Sequence, residues 1–263
     1  MIMASVPASK RKRCGNAQSM EIALVKIARS IQFAEGSSRQ ECNMPIFFDS
    51  STLISLAMTC NIHWLKDLKK AYGGDFFITP AVRSETIDRG LNSLRFRYEA
   101  LRLKSLVDSK VLKMYDEDVS SETNNLLHLI NNSFYARNRP LQVVQLGEMT
   151  ALAGALKEGA DAIAVDERTT RLVVENPGAL QELFTAKLHT DVQADKGNLQ
   201  KWENLVSEKF MIIRSTELAL AAWKKGLLVD SSRNAITGIL WALKFAGCAI
   251  SESEINIYDK GDF

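Results

Sequence analysis

No stretch of this 263-residue chain reaches about 18 uninterrupted apolar residues, so the sequence predicts no transmembrane helix. The apolar segment Ile22–Ile31 is broken by Lys26 and Arg29, which makes it a poor secretion signal. Cysteine is scarce: Cys14, Cys42, Cys60 and Cys248, with no pair at zinc-knuckle spacing. Cys60-x2-His63 would supply half a metal site, and no second half accompanies it. Reduced thiols in a cytoplasmic protein are the expectation, with Cys248 in the core. An excess of one charge is missing as well. The net charge is +2, and residues 1–44 hold seven Lys/Arg against three Glu, so the remainder stands near −2. Such a body must meet a polyanion through local basic patches or metal ions, not through a global field. The common nucleotide loops are absent: no Gly-x4-Gly-Lys-Ser/Thr, no Gly-x-Gly-x2-Gly after a strand, and no Gly-x-Ser-x-Gly elbow. Asp49-Ser50-Ser51 lacks the second aspartate of an aspartyl-phosphate hydrolase. There is no internal repeat.

What is present is a folding composition, 46% hydrophobic and 24% charged. Residues 1–20 are small, polar and basic and read as a disordered tail, with the cluster Lys10–Arg13 as a solvated feature, an address or a nucleic-acid contact. Residues 21–33 have helical apolar spacing. Met44 stands directly before the first strong strand, and a translation start there would make 1–43 an extension with no role in the core. From Pro45 strands and helices alternate. Ile46–Phe48 is a strand ending in Asp49, followed by a helix over Leu53–Trp64, a break at Gly73-Gly74 and a strand over Phe76–Thr79. Pro80 opens a helix over 81–89, since its missing N–H is free at a first turn. A basic helix over Arg95–Ser105, an edge strand over Val111–Tyr115 and a helix over Glu122–Tyr135 follow. Then come a helix over Gly147–Glu158 stopped by Gly159, a strand over Ala162–Val165 closed by Asp166, and a short helix over Thr169–Glu175. Asn176–Glu208 is polar and reads as a helical insertion before the strand Phe210–Ile213. Helices over Thr216–Lys225 and Asn234–Phe245 close the chain. The alternation predicts an α/β fold, three layers α/β/α around a central, mainly parallel sheet, with a helical insertion and C-terminal helices.

Four carboxylates fall at strand ends or on nearby helices: Asp49, Glu85, Glu148 and Asp166. In an open parallel sheet ligands bind outside the carboxyl ends of the strands. Gathered there unpaired, carboxylates resist ionising together, and a hard divalent cation reverses that penalty. Each residue also has an ordinary alternative. Asp49 could cap the following helix, Glu148 could stabilise a helix N-terminus, and Glu85 could pair with Arg89 one turn on. Arg83, Arg89, Arg95 and Arg97, with Arg102 and Lys104 beyond, make a basic region interleaved with Phe96 and Tyr98. It suits phosphates and unpaired bases, or else it is a solvated helix face.

The segments Ile46-Phe-Phe-Asp-Ser-Ser-Thr-Leu-Ile54, Ile78-Thr-Pro-Ala-Val-Arg-Ser-Glu85, Gly147-Glu-Met-Thr-Ala-Leu-Ala153 and Asp161-Ala-Ile-Ala-Val-Asp-Glu-Arg-Thr-Thr-Arg171 resemble, in order, the signatures of the PIN-domain family. The resemblance covers about 45–215, and Gly147-Glu148 with Val165-Asp166 is its most specific part. It implies a flavodoxin-like fold and endoribonuclease activity dependent on Mg2+ or Mn2+. Asp49, Glu85, Glu148 and Asp166 would be the catalytic and metal-binding positions, supported by Ser51 and Glu167, with Arg83, Arg89, Arg95 and Arg97 on RNA. As partners it implies an RNA substrate, and an antitoxin, a processing-complex subunit or a second copy of the chain. A catalytically silent module binding RNA or protein is the alternative. The expected layout is a basic extension over 1–44, a nuclease domain over 45–228 with the insertion at 176–208, and a helical extension over 229–263. These additions to a compact family member favour a dedicated processing enzyme or complex subunit over a small toxin.

Overall fold

The structure, a computed structural model, describes residues 45–160, 162–206, 209 and 211–260. The helix expected at 21–33 and the Met44 start lie outside them.

In chain order the elements are β1 (Ile46–Phe48), α1 (Ser50–Met58), α2 (Leu65–Tyr72), β2 (Phe76–Ile78) and α3 (Pro80–Arg83). A π-helical turn (Ser84–Asp88) carries α3 without a break into α4 (Arg89–Leu91). Then follow α5 (Arg97–Asp108), β3 (Lys113–Met114), α6 (Ser120–Asn131), β4 (Phe134–Ala136), β5 (Arg139–Pro140) and α7 (Leu146–Glu158). The chain continues through β6 (Ala162–Ala164), α8 (Arg168–Glu175), α9 (Ala179–Leu188), β7 (Val192–Ala194) and α10 (Lys196–Val206). It ends with β8 (Met211–Ile213), α11 (Ser215–Lys224), α12 (Arg233–Phe245) and α13 (Glu252–Lys260). The main sheet has the order β3-β2-β1-β6-β8 with every pair parallel. It is the expected mainly parallel three-layer α/β/α arrangement.

Successive strand residues face opposite sides of a sheet, and here both sides are closed. Phe47 and Phe48 are neighbours on β1, and each is fully buried. Phe47 meets Phe77 and Tyr115 at ring separations of 5.4 and 4.9 Å; Phe48 meets Phe76 at 5.1 Å. Helix α7 comes close to Phe47 because residue 154 is glycine. A Cβ built there would lie 2.6 Å from Phe47 Cε1 and 3.3 Å from Tyr115 Cδ1. Phe47 is held by two other rings and cannot step aside freely. Gly154→Ala is therefore expected to destabilise the fold by about 1–3 kcal/mol, read as a lower urea midpoint at unchanged m-value.

The structure departs from the sequence expectations at three elements. The helix expected over Leu53–Trp64 stops at Met58, because Cys60 turns to a left-handed φ of 60° and the chain re-enters a helix only at Leu65. His63 turns its Nδ1 to the Cys60 carbonyl at 3.1 Å. The helix expected to run to Tyr135 ends at Asn131, and β4 begins at Phe134. The segment 176–208 is not wholly helical. It carries β7, which pairs antiparallel with β4 in a second sheet of order β5-β4-β7. No helix among the described residues is long and apolar enough to cross a membrane.

Candidate metal and nucleic-acid site

The strand order turns back on itself between β1 and β6. This reversal opens the crevice at the carboxyl ends of strands where open α/β sheets bind ligands. Three helix N-termini are anchored there, each by a carboxylate the sequence had singled out. Asp49 is the N-cap of α1: its Oδ2 accepts from Ser51 N at 3.1 Å and Ser51 Oγ at 2.6 Å. Glu148 reaches back in a capping box, its Oε2 accepting from Gln145 N at 2.7 Å. Glu167 caps α8, its Oε2 accepting from Thr170 N at 2.6 Å and Thr170 Oγ1 at 3.0 Å. The ordinary alternatives for Asp49 and Glu148 are thus realised, but with one oxygen of each. The positive ends of the helix dipoles favour negative charge at these places.

The other oxygens make the site unusual. Asp49 is 1% exposed, and its Oδ1 is buried with no hydrogen-bond donor. Burial pushes its pKa up, the Ser51 donors oppose that, and Glu85 adds a further upward push. Glu148 is pushed up to about 7, chiefly by desolvation, with Asp49 and Glu167 adding like charge. Glu85, on the π-helical turn, is exposed and rests against the start of α7, where its Oε2 would stand 3.3 Å from a Cβ at Gly147. It does not pair with Arg89. Asp49, Glu85, Glu148 and Glu167 therefore feel one another through space.

Asp166 departs from the expected set. It closes β6 as expected and is fully buried, but its carboxylate is taken up inside the protein. Its Oδ1 accepts from Ser215 N at 2.7 Å and Thr52 Oγ1 at 3.2 Å, and its Oδ2 accepts from Ser215 Oγ at 2.6 Å. Most of the lone-pair capacity of a carboxylate is occupied by that set. Ser51 joins the two aspartates: its Oγ donates to Asp49 and accepts from Asp166 N at 3.0 Å. Among the described residues, no three His, Cys, Asp or Glu side chains stand close enough together to hold an ion. Ser215, Thr52, Gln145 and Thr170 escaped the sequence reading. The visible signal for Ser215 was that Arg214-Ser215-Thr216 follows a strand just as Asp49-Ser50-Ser51 does.

The arginines are divided. Arg83, Arg89, Arg95 and Arg97 are all exposed, on the segment that also bears Glu85. Arg83 lies 3.7 Å from Asp88, Arg95 lies over the Phe96 ring at 5.0 Å, and Arg97 Nε donates to Leu91 O at 3.0 Å. Arg102 is structural, its Nη1 donating to Ala57 O across to α1.

The raised Glu148 pKa has a sign that can be tested. A carboxylate whose folded pKa exceeds its ordinary 4.5 contributes stability below about 4.5, and that contribution is lost as pH climbs through about 7. Metal-free protein is expected to lose about 3 kcal/mol from this group between pH 4.5 and 8. In Glu148→Gln that part of the slope disappears, as urea melts across the pH range would show. A slope identical to wild type would remove Glu148 as its source.

A family model described as a PIN domain matches residues 45–179, which span β1 through the start of α9 and include the four acidic positions and Glu167. Comparison with curated proteins gave no match, and neither did comparison with solved structures.

Proposed function

Because this chain belongs to the PIN-domain family, whose members are generally nucleases, we propose that it is a divalent-metal-dependent endoribonuclease. The observation that carries the reading is Asp49: a fully buried carboxylate with one oxygen lacking a donor, beside Glu148, whose ionisation is resisted until about pH 7. Buried polar atoms without partners are uncommon, and these are hard oxygen donors in a like-charged group. A Mg2+ or Mn2+ ion fits that chemistry, since such ions prefer oxygen and supply the missing positive charge. Asp49, Glu148 and Glu85 are the residues that would hold it, and bound there it would acidify water and neutralise charge on the scissile phosphate.

The chain's own groups have separable tasks. Ser51 fixes Asp49 by taking Oδ2, which leaves Oδ1 as the free donor atom. The Gln145 N–H does the same for Glu148. Asp166 acts as a positioning residue: it ties α1, through Thr52, to the start of α11, through Ser215. The exposed arginines beside Glu85 bind flanking phosphates. The elements beyond residue 179 favour a processing enzyme or complex subunit over a small toxin, with an antitoxin or a second copy as the other partner candidates.

The occupied carboxylate of Asp166 favours a second reading, a silent module that binds RNA or protein and cuts nothing. An internally labelled single-stranded RNA incubated with Mn2+ separates the two. Internal fragments that vanish with EDTA support the nuclease. Intact RNA retained on the protein supports the silent module.

A further inference from the structure

A cleft of about 290 Å³ opens beside the acidic group, and Glu85 lines it. Its apolar wall comes from Ile54, Ala57 and Met58 on α1 and Leu103 on α5, with Phe96 at its side. Ile54, Met58 and Phe96 are each more than a third exposed, so this wall has no cover within the described residues. The polar groups of the cleft are as telling as the apolar ones. Arg89 and Glu99 both line it, and neither has a hydrogen bond or ion pair among the described residues. Glu99 Oε2 is shut off from solvent without a donor. An apolar wall with a few unsatisfied polar groups is the usual character of a small-ligand site.

We propose that this cleft is a base-selecting subsite that receives an unpaired guanine of the RNA strand next to the scissile phosphate. The inference rests on the nuclease reading for its placement. A flat ring with an apolar face suits the wall of α1 and the Phe96 edge, since single-stranded RNA is read by stacking together with contacts to exposed base edges. Arg95 lies over Phe96 and steadies it. Glu99 sets the identity of the base. A carboxylate accepts through two oxygens and donates nothing when ionised, so it selects a base that offers two adjacent donors. On the Watson–Crick edge guanine alone does so, with N1–H and N2–H side by side. Adenine, cytosine and uracil each place an acceptor next to their donor, and that acceptor would face a carboxylate oxygen. Arg89 is left to meet the backbone phosphate of the same nucleotide. Glu85 belongs to both cleft and acidic group, so the selected base and the cut bond would be close neighbours along the strand.

The test is binding in EDTA, where nothing is cut. Fluorescence anisotropy would compare labelled oligouridine strands carrying one central G, A or C. The G strand is expected to bind about tenfold tighter than the others, the size of one good bidentate base contact. Glu99→Gln keeps the shape but turns an amide donor toward guanine's donors, so the three affinities should converge within about twofold while that of the A strand holds. Phe96→Leu should weaken all three alike and keep the G preference, a second variant in case the first folds poorly. Equal affinities in the wild type overturn the proposal, as does a G preference that survives in Glu99→Gln. No binding of any strand at high micromolar concentration also overturns it. So does a dimer in light scattering that Met58→Lys dissolves, which would give the wall to a second copy. The nuclease reading fails separately: a chain that prefers G but never cuts keeps the subsite, and one that cuts without base preference loses it.

Discussion

Replacing Asp49 by Asn is expected to lower Mn2+-dependent RNA cleavage at least about a hundredfold and, unusually for a buried position, to raise the melting temperature of the metal-free protein. Both effects follow from the same oxygen. Oδ1 of Asp49 is buried with no donor, and the carboxylate is pushed toward protonation by burial and by Glu85. An amide keeps the acceptor that caps Ser51 and puts a neutral donor where a repelled charge stood. The stored strain of the like-charged group is thereby released, and with it the means of attracting a cation. About 1 kcal/mol of relief corresponds to a rise of about 2–4 °C in a domain of this size. Differential scanning fluorimetry in EDTA and a cleavage time course read the two halves. A variant that still cuts at the wild-type rate would take Asp49 out of the site. One that neither cuts nor gains stability would leave the strain argument without support.

The second large effect is at the back of the site. Arg214 closes β8, and it is almost fully buried with Glu217 and Glu254. Its Nη2 donates to Glu217 Oε1 at 2.6 Å and Glu254 Oε1 at 3.0 Å, and its Nη1 donates to Ala249 O at 3.0 Å. Burial works against the Glu217 carboxylate, but Arg214 overrides it and holds its pKa below the ordinary range. Arg214→Met would leave Glu217 buried and unpaired, which costs about 3–5 kcal/mol. The loss is greatest above the ordinary glutamate pKa, where Glu217 must carry its charge, and shrinks toward pH 4, where it can take a proton. Adding Glu217→Gln should restore part of the stability. A pH-independent deficit in urea melts would point to lost packing rather than a stranded charge.

These two sites differ in how far the sequence displayed them. Short apolar runs capped by a polar residue gave away β1, β2, β6 and β8, since a strand buried on both faces has few alternatives. Gly159 marked the end of α7 because its φ of 65° is open to glycine at little penalty. Strand β7 was hidden. It is three residues long, sits in a polar stretch, and exists because β4, more than fifty residues earlier, offers it an edge. Local periodicity carries no trace of such a pairing. The acidic residues were legible as types at strand ends, but not their division of labour. Asp166 looked like Asp49 in sequence, and only Ser215, forty-nine residues downstream, decides that its oxygens turn inward. Glu217 and Glu254 looked like ordinary first-turn acids until Arg214 was seen between them.

The wide turn at Ser84–Asp88 bears on how the site could be gained or lost. A π-helical turn amounts to one residue more than regular winding needs. A helix advances about 100° per residue, so excising a single residue between Arg83 and Asp88 would swing everything on one side around the cylinder by that angle. Glu85 would leave the start of α7, while the helix itself became more regular and its hydrogen bonds shorter. A one-codon deletion could therefore yield a tidier, sturdier protein whose carboxylate no longer looks at Asp49.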